Sequence, residues 1–118
     1  MNQFIIDKYE IKFEILLVDG RKEIQITSDV IPYFRGYFIK KYPEFLLEEV
    51  LPEINKAVAG QSFDEDGGGV YHFLRIGETT SHFYTDEGDE FPIPTSDLKE
   101  ILLSYIEWIT ENNLENNI

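Results

Sequence analysis

Two stretches of alternating apolar and polar residues face each other around Asp19-Gly20, inside the segment from Tyr9 to Thr27. A two-residue type I′ turn needs positive φ at both central positions, and Asp-Gly supplies them at low cost. Counting back from the turn pairs Leu17 with Lys22, Ile15 with Ile24 and Phe13 with Ile26, so one face is apolar except for Lys22. The other face sets Lys12 and Glu14 against Thr27 and Gln25, with Leu16 and Val18 nearer the turn. A slip of one residue would mix the two faces, which specifies the register.

A second alternating stretch, Val70 to Thr85 (VYHFLRIGETTSHFYT), is the one around which the chain is organised. Gly77-Glu78 suits a type II′ turn, and the register it sets pairs Ile76 with Thr79, Leu74 with Ser81 and His72 with Phe83. One face then holds Val70, His72, Leu74, Ile76 and Phe83; the other holds Tyr71, Phe73, Arg75, Thr80, His82 and Tyr84. Alternation leaves open which face is buried. If the face with Tyr71, Arg75, His82 and Tyr84 is exposed, it offers aromatic and arginine anchors of the kind that dominate interfaces. The two histidines project to opposite faces, which removes any mechanism that needs both rings at one point.

Between and after these hairpins the period changes to that of helices. Ser28 or Asp29 can cap a helix carrying Tyr33, Phe34, Tyr37 and Phe38, with Pro32 in its first turn and Tyr42-Pro43 as its end. A second helix from Pro43 places Leu47, Val50, Leu51, Ile54 and Val58 on one stripe; Pro52 predicts a kink or break, and Gly60 the stop. Gln61 to Gly69 reads as a loop, and Phe91-Pro92-Ile93-Pro94 as an edge strand at most. From Thr95 to about Asn113 the positions Leu98, Ile101, Leu102, Tyr105, Ile106 and Ile109 form a helical stripe with Trp108 beside it, capped by Thr95, Ser96 or Asp97, the last paired with Glu100. The expectation is a single α+β domain over residues 1–118: a four- to five-stranded antiparallel sheet of two hairpins with helices packed on one face.

Charge adds a direction. There are 23 acidic and 10 basic residues, a net charge of −13, and residues 61 to 118 carry −11 of it with only Arg75 and Lys99 as bases. Acid brackets the central hairpin: Asp64, Glu65 and Asp66 before it, Asp86, Glu87, Asp89 and Glu90 after it. Such a field repels nucleic-acid phosphates and anionic lipid and steers basic partners into encounter. These acids, with Tyr71, Tyr84 and Trp108 as anchors, are the candidate partner-binding residues. A calcium loop at Asp64, Asp66 and Gly67 fails on its ligand spacing, because Ser62 would fall at the first ligand and Phe73 at the bidentate glutamate. A phosphate cradle fails because no strand precedes the glycines and no helix follows them. No metal, cofactor or catalytic residue is expected. With no cysteine, no basic and apolar leader in MNQFIIDKYE and no long apolar run, the expected setting is cytoplasmic, away from membranes.

The order of strands, helical segment, acidic glycine-containing approach and aromatic strands, followed by Ile93-Pro94-Thr95-Ser96-Asp97-Leu98 opening a helix with a late Trp108, resembles small bacterial immunity proteins. That resemblance implies a cytosolic protein that binds and neutralises a cognate toxin domain of polymorphic or contact-dependent growth-inhibition systems, often a basic nuclease blocked at or near its active site. With no nucleophile elbow, histidine dyad or metal-ligand spacing in the chain, a non-enzymatic protein is expected, as a monomer or weak dimer. Two other readings stand beside immunity: a nucleic-acid mimic whose carboxylates imitate phosphates, and an acidic protein-interaction subunit without catalytic activity.

Overall fold

The computed structural model describes residues 1–39 and 43–112. It is an α+β fold with one two-stranded and one four-stranded antiparallel sheet, and helices that share a single core.

The chain begins with a helix that its sequence did not announce, α1 (Gln3–Lys8), in which Asn2 Oδ1 accepts from Ile5 N and Ile5 and Ile6 are buried. Six residues are too few to establish a helical period, so only the cap could have signalled it. Hairpin β1 (Ile11–Val18) and β2 (Arg21–Ser28) follows in the expected register, with Asp19 at φ 52° and Gly20 at φ 78°. It forms its own sheet rather than joining the other strands. Its apolar face is covered only at the base: Ile11 and Ile26 are buried, Phe13 and Ile24 half-buried, Ile15 and Leu17 exposed.

Ser28 caps a turn, not a helix. Its hydroxyl donates to Tyr9 O and accepts from Val30 N and Ile31 N, and helix α2 (Phe34–Phe38) starts only after Tyr33 has passed through φ 68°. Pro32 therefore lies outside the helix, and the expected stop at Tyr42-Pro43 is preceded by an end at Phe38; Tyr42 itself lies outside the described residues. The second helical segment runs as α3 (Pro43–Phe45), a π-helical turn (Leu46–Val50) and α4 (Leu51–Val58). Pro52 has no N–H and its ring crowds the carbonyl four residues back, and the wider turn accommodates both. The extra residue rotates the stripe, so Leu46, Val50, Leu51, Ile54 and Ala57 are buried, whereas Leu47 is 46% exposed and Val58 is exposed too. Gly60 stops the helix at φ 74°, with Gly60 N donating to Ala57 O and Gln61 N to Lys56 O. Those two bonds make a Schellman motif.

The larger sheet has the order β3 (Asp66–Gly69), β4 (Phe73–Arg75), β5 (Thr80–Tyr84), β6 (Glu90–Pro94). Two expectations are corrected here. The end of the supposed loop, Asp66 to Gly69, is a strand, and the central hairpin pairs Phe73 with Tyr84, Leu74 with Phe83 and Arg75 with His82, two residues away from the expected register. The turn is longer than Gly77-Glu78 because side-chain hydroxyls hold it. Gly77 N donates to Ser81 Oγ, Thr95 Oγ1 donates to Gly77 O, and the two hydroxyls lie 2.7 Å apart. A shift of two leaves each residue of β4 and β5 on its face, but Val70, expected on the side of Leu74, is 48% exposed ahead of β4. Val70 to His72 form a bend, anchored where Tyr71 N and His72 N donate to Gly36 O. The proline-containing strand β6 lies at the sheet edge, as expected.

One side of this sheet packs on helices. Leu74, Phe83 and Ile93 meet Phe34 and Tyr37 of α2 and the stripe of α5 (Thr95–Glu111), in which Leu98, Ile101, Leu102, Tyr105 and Ile109 are buried and Ile106 half-buried. Burial pushes the Tyr37 hydroxyl up, so it stays protonated and donates to Gly67 O. The expected caps of α5 are used elsewhere: Thr95 bonds the Gly77 turn, and Asp97 accepts from Tyr9 OH at 2.5 Å and Lys8 Nζ at 2.9 Å. Asn2 N adds a bond to Ser104 Oγ, so α1 and α5 clasp each other.

Candidate partner-binding face

The other side of the four-stranded sheet carries no helix of the described residues. Its outward side chains follow from the register in two rows across the strands: Asp66, Arg75, His82 and Pro92 in one, Phe73, Tyr84 and Glu90 in the next. Strand alternation puts these residues outside because Leu74, Ser81, Phe83 and Ile93 between them are fully buried. The question that the sequence left open is answered: the face with Arg75, His82 and Tyr84 is the accessible one.

The side chains on this face hold one another. The Phe73 and Tyr84 rings pack at 5.5 Å, the Arg75 guanidinium lies 5.7 Å from the Tyr84 ring centroid, and Arg75 Nη2 donates to Glu90 Oε1 at 2.7 Å. The Arg75 hydrogen bond holds the Glu90 carboxyl below its ordinary range. The arginine is thus stretched across a tyrosine toward a carboxylate, leaving a pre-ordered platform of aromatic and guanidinium planes with half-exposed edges.

The acidic residues do not form one patch. Asp66 sits opposite Arg75 at the end of the sheet where β4 runs into the Gly77 turn; Asp86, Glu87 and Asp89 lie in the connection from Tyr84 to Glu90, at the other end. Each cluster is held by its own set of hydrogen bonds. Asp64 Oδ1 accepts from Asp66 N, Asp66 Oδ1 accepts from Gly68 N, and Asp64 N donates to Glu53 Oε1, which with Lys56 keeps the Glu53 carboxyl below its usual value. Glu65 O accepts from Ile76 N. In the second cluster Thr85 N donates to Asp89 O, Asp89 N donates to Thr85 Oγ1, and Gly88 takes φ 91°.

Of the residues singled out from the sequence, Asp66, Tyr84 and Glu90 stand on the face; Asp86, Glu87 and Asp89 border one end, and Asp64 and Glu65 the other. Tyr71, 61% exposed, lies in the bend that leads into Phe73. Trp108 is not part of this constellation. It is on α5, beneath the opposite side of the sheet, half-buried and stacked 5.3 Å from Phe13 at the base of the first hairpin. Phe73 was placed on this face by alternation though not named as an anchor, and Pro92 joins it unannounced; alternation with the apolar Ile93 was the signal for the second.

His72 goes inward, as its face required. Its ring abuts α2 so closely that a Cβ on Gly36 would lie 2.1 Å from Nδ1, and it meets the Tyr33 ring edge-on at 5.2 Å. Among the described residues no group of three or more histidines and carboxylates is placed to hold a metal ion, and no helix is long and apolar enough to cross a membrane. Compared with known families, curated proteins and solved structures, the chain matches none.

Proposed function

We propose that this protein is a binding module of the immunity type, which captures and neutralises a basic toxin domain on the outer face of its four-stranded sheet. The observation that carries the reading is that face itself: Phe73, Arg75 and Tyr84 packed as a platform on rigid strands, with carboxylates at both ends. Aromatic and arginine anchors inside a polar rim are the anatomy of a specific interface. The net charge of −13 accelerates encounter with a basic partner, and carboxylates at two ends orient it across the platform. The resemblance in layout to small immunity proteins supports the same reading, with the cytoplasm as its setting. Two clusters at opposite ends, each folded around its own turn, suit a protein partner better than the regular row a phosphate mimic requires.

The test is affinity capture from lysate of the strain that encodes the protein, elution by a salt gradient, identification of the retained protein by mass, and growth of cells expressing that protein with and without this chain. A basic protein whose toxicity is relieved supports the proposal. Changing Asp64, Asp66, Asp86 and Asp89 to Asn and Glu65, Glu87 and Glu90 to Gln keeps the side-chain oxygens of Asp64 and Asp66 that close the first turn and leaves Thr85, which closes the second, untouched; association should slow by at least about tenfold and lose most of its salt dependence. Unchanged rates, or relief that survives loss of the platform in Tyr84→Ala with Phe73→Ala, would sink it.

A further inference from the structure

The first hairpin is unlike the rest of the molecule. Ile15, Leu16, Leu17 and Val18 are consecutive apolar residues, all exposed, on both faces of β1. Between residues 11 and 28 the bases Lys12, Arg21 and Lys22 balance the acids Glu14, Asp19 and Glu23, so this is a neutral island in a strongly acidic chain. Helix α2 packs against β2, with a depression of about 180 Å³ between them lined by Leu16, Val18, Ile24, Arg35 and Phe38. Among the described residues no strand pairs with the outer edge of β1.

That edge has a definite chemistry. Val18 and Arg21 flank the two-residue turn and exchange both of their hydrogen bonds, so even-numbered residues of β1 direct N–H and C=O toward β2, and Ile11, Phe13, Ile15 and Leu17 direct theirs outward. Such a row is a template for another strand. We propose that a second copy of this chain occupies it, pairing β1 with β1 antiparallel about a two-fold axis at Ile15. Ile15 then bonds its own counterpart, and Phe13 bonds Leu17 of the other copy. The apolar stripe Phe13, Ile15, Leu17 continues across the junction, because residues symmetric about Ile15 are apolar on that face. The neighbouring symmetric registers are poorer: centring on Glu14 stacks two carboxylates, and centring on Leu16 leaves Phe13 without a partner strand. Elsewhere on the surface two copies at −13 each repel; at the neutral hairpin they meet with the least opposition. The dimer leaves the outer face of the four-stranded sheet free and does not depend on what binds there.

Sedimentation or light scattering over a range of concentrations reads the association, and salt separates it from capture of a basic partner, since screening should tighten this dimer and loosen that complex. Leu17→Lys, at a position 76% exposed, should leave the fold intact by circular dichroism and weaken the dimer at least tenfold. The chain has no cysteine, so Ile15→Cys places a single thiol at the two-fold axis, where a short bis-maleimide, adding one thiol across each of its double bonds, should join the copies; Leu17→Cys, offset from its counterpart by four residues, should join slowly. A chain that stays monomeric at all concentrations and salt, equal cross-linking by both variants, or β1 amides protected from exchange only when a different protein is added would overturn the proposal.

Discussion

The two hairpins of this protein invert each other. β1–β2 follows its sequence to the residue yet buries little beyond its base, whereas β4–β5 lies at the centre of the core and takes a register that its own turn did not predict. In the first, every determinant is local: Asp19-Gly20 closes the turn and alternation fixes the faces. In the second, Ser81 and Thr95 capture both polar groups of Gly77, and Glu65 O takes Ile76 N, so groups from β5, α5 and the approach to β3 set the turn. Local code and structural importance are separate quantities here.

The largest difference should appear on truncation. Phe83→Ala removes a ring with no exposure and should cost about 3–5 kcal/mol, whereas Leu17→Ala at the first hairpin's tip should stay within about 0.5 kcal/mol, read from urea midpoints below any dimerising concentration. Comparable losses would erase the contrast. Next come the turn glycines. A Cβ on Gly77 would lie 2.0 Å from Thr80 O, a backbone atom that cannot swing away, whereas Gly20 has open space and only its φ of 78° to object. Gly77→Ala should therefore destabilise by about 1–3 kcal/mol or more, and Gly20→Ala by about 1 kcal/mol. A reversed order would mean that the hydroxyl-held turn is not the constraint.

The smallest contrast concerns the clasp between α5 and α1, the helix that leads into the first hairpin. Partial burial pushes the Asp97 carboxyl up, but the hydrogen bonds from Tyr9 and Lys8 outweigh it and hold the group below its ordinary value. A depressed carboxyl adds stability above its unfolded pKa, and that stability is lost as pH falls through the lower folded value. Asp97→Asn should thus cost on the order of 1 kcal/mol at neutral pH, and its deficit relative to the native chain should close below about pH 4. A deficit constant with pH would assign Asp97 a purely steric part.

What could be read from the chain follows the same division. Gly60 as a helix stop, the edge strand with Pro92 and Pro94, and the stripe of α5 were legible because each depends on residues close in sequence. Leu47 was misplaced because a π-helical turn ahead of Pro52 adds a residue that no period reveals. The capping roles given to Thr95 and Asp97 failed because Gly77 and Tyr9, distant in sequence, compete for the same oxygens. For the candidate face, alternation separated the two sides correctly, and burial alone decided which was outside. The acids were found individually, but their division between two ends of the sheet depends on strand order, to which no single residue testifies.

The clasp between α1 and α5 also sets a schedule. Asn2 bonds Ser104 and Tyr9 bonds Asp97, so the partners of the first helix are made roughly a hundred residues after it. On the ribosome the first hairpin can close within moments of its synthesis, while α1, which also touches β1, cannot make its bonds to α5 until α5 has emerged. Until α5 appears, the apolar base of the first hairpin, where Phe13 comes to stack on Tyr105 and Trp108, stays uncovered, so the strand pairing that is simplest to encode is among the last to be packed.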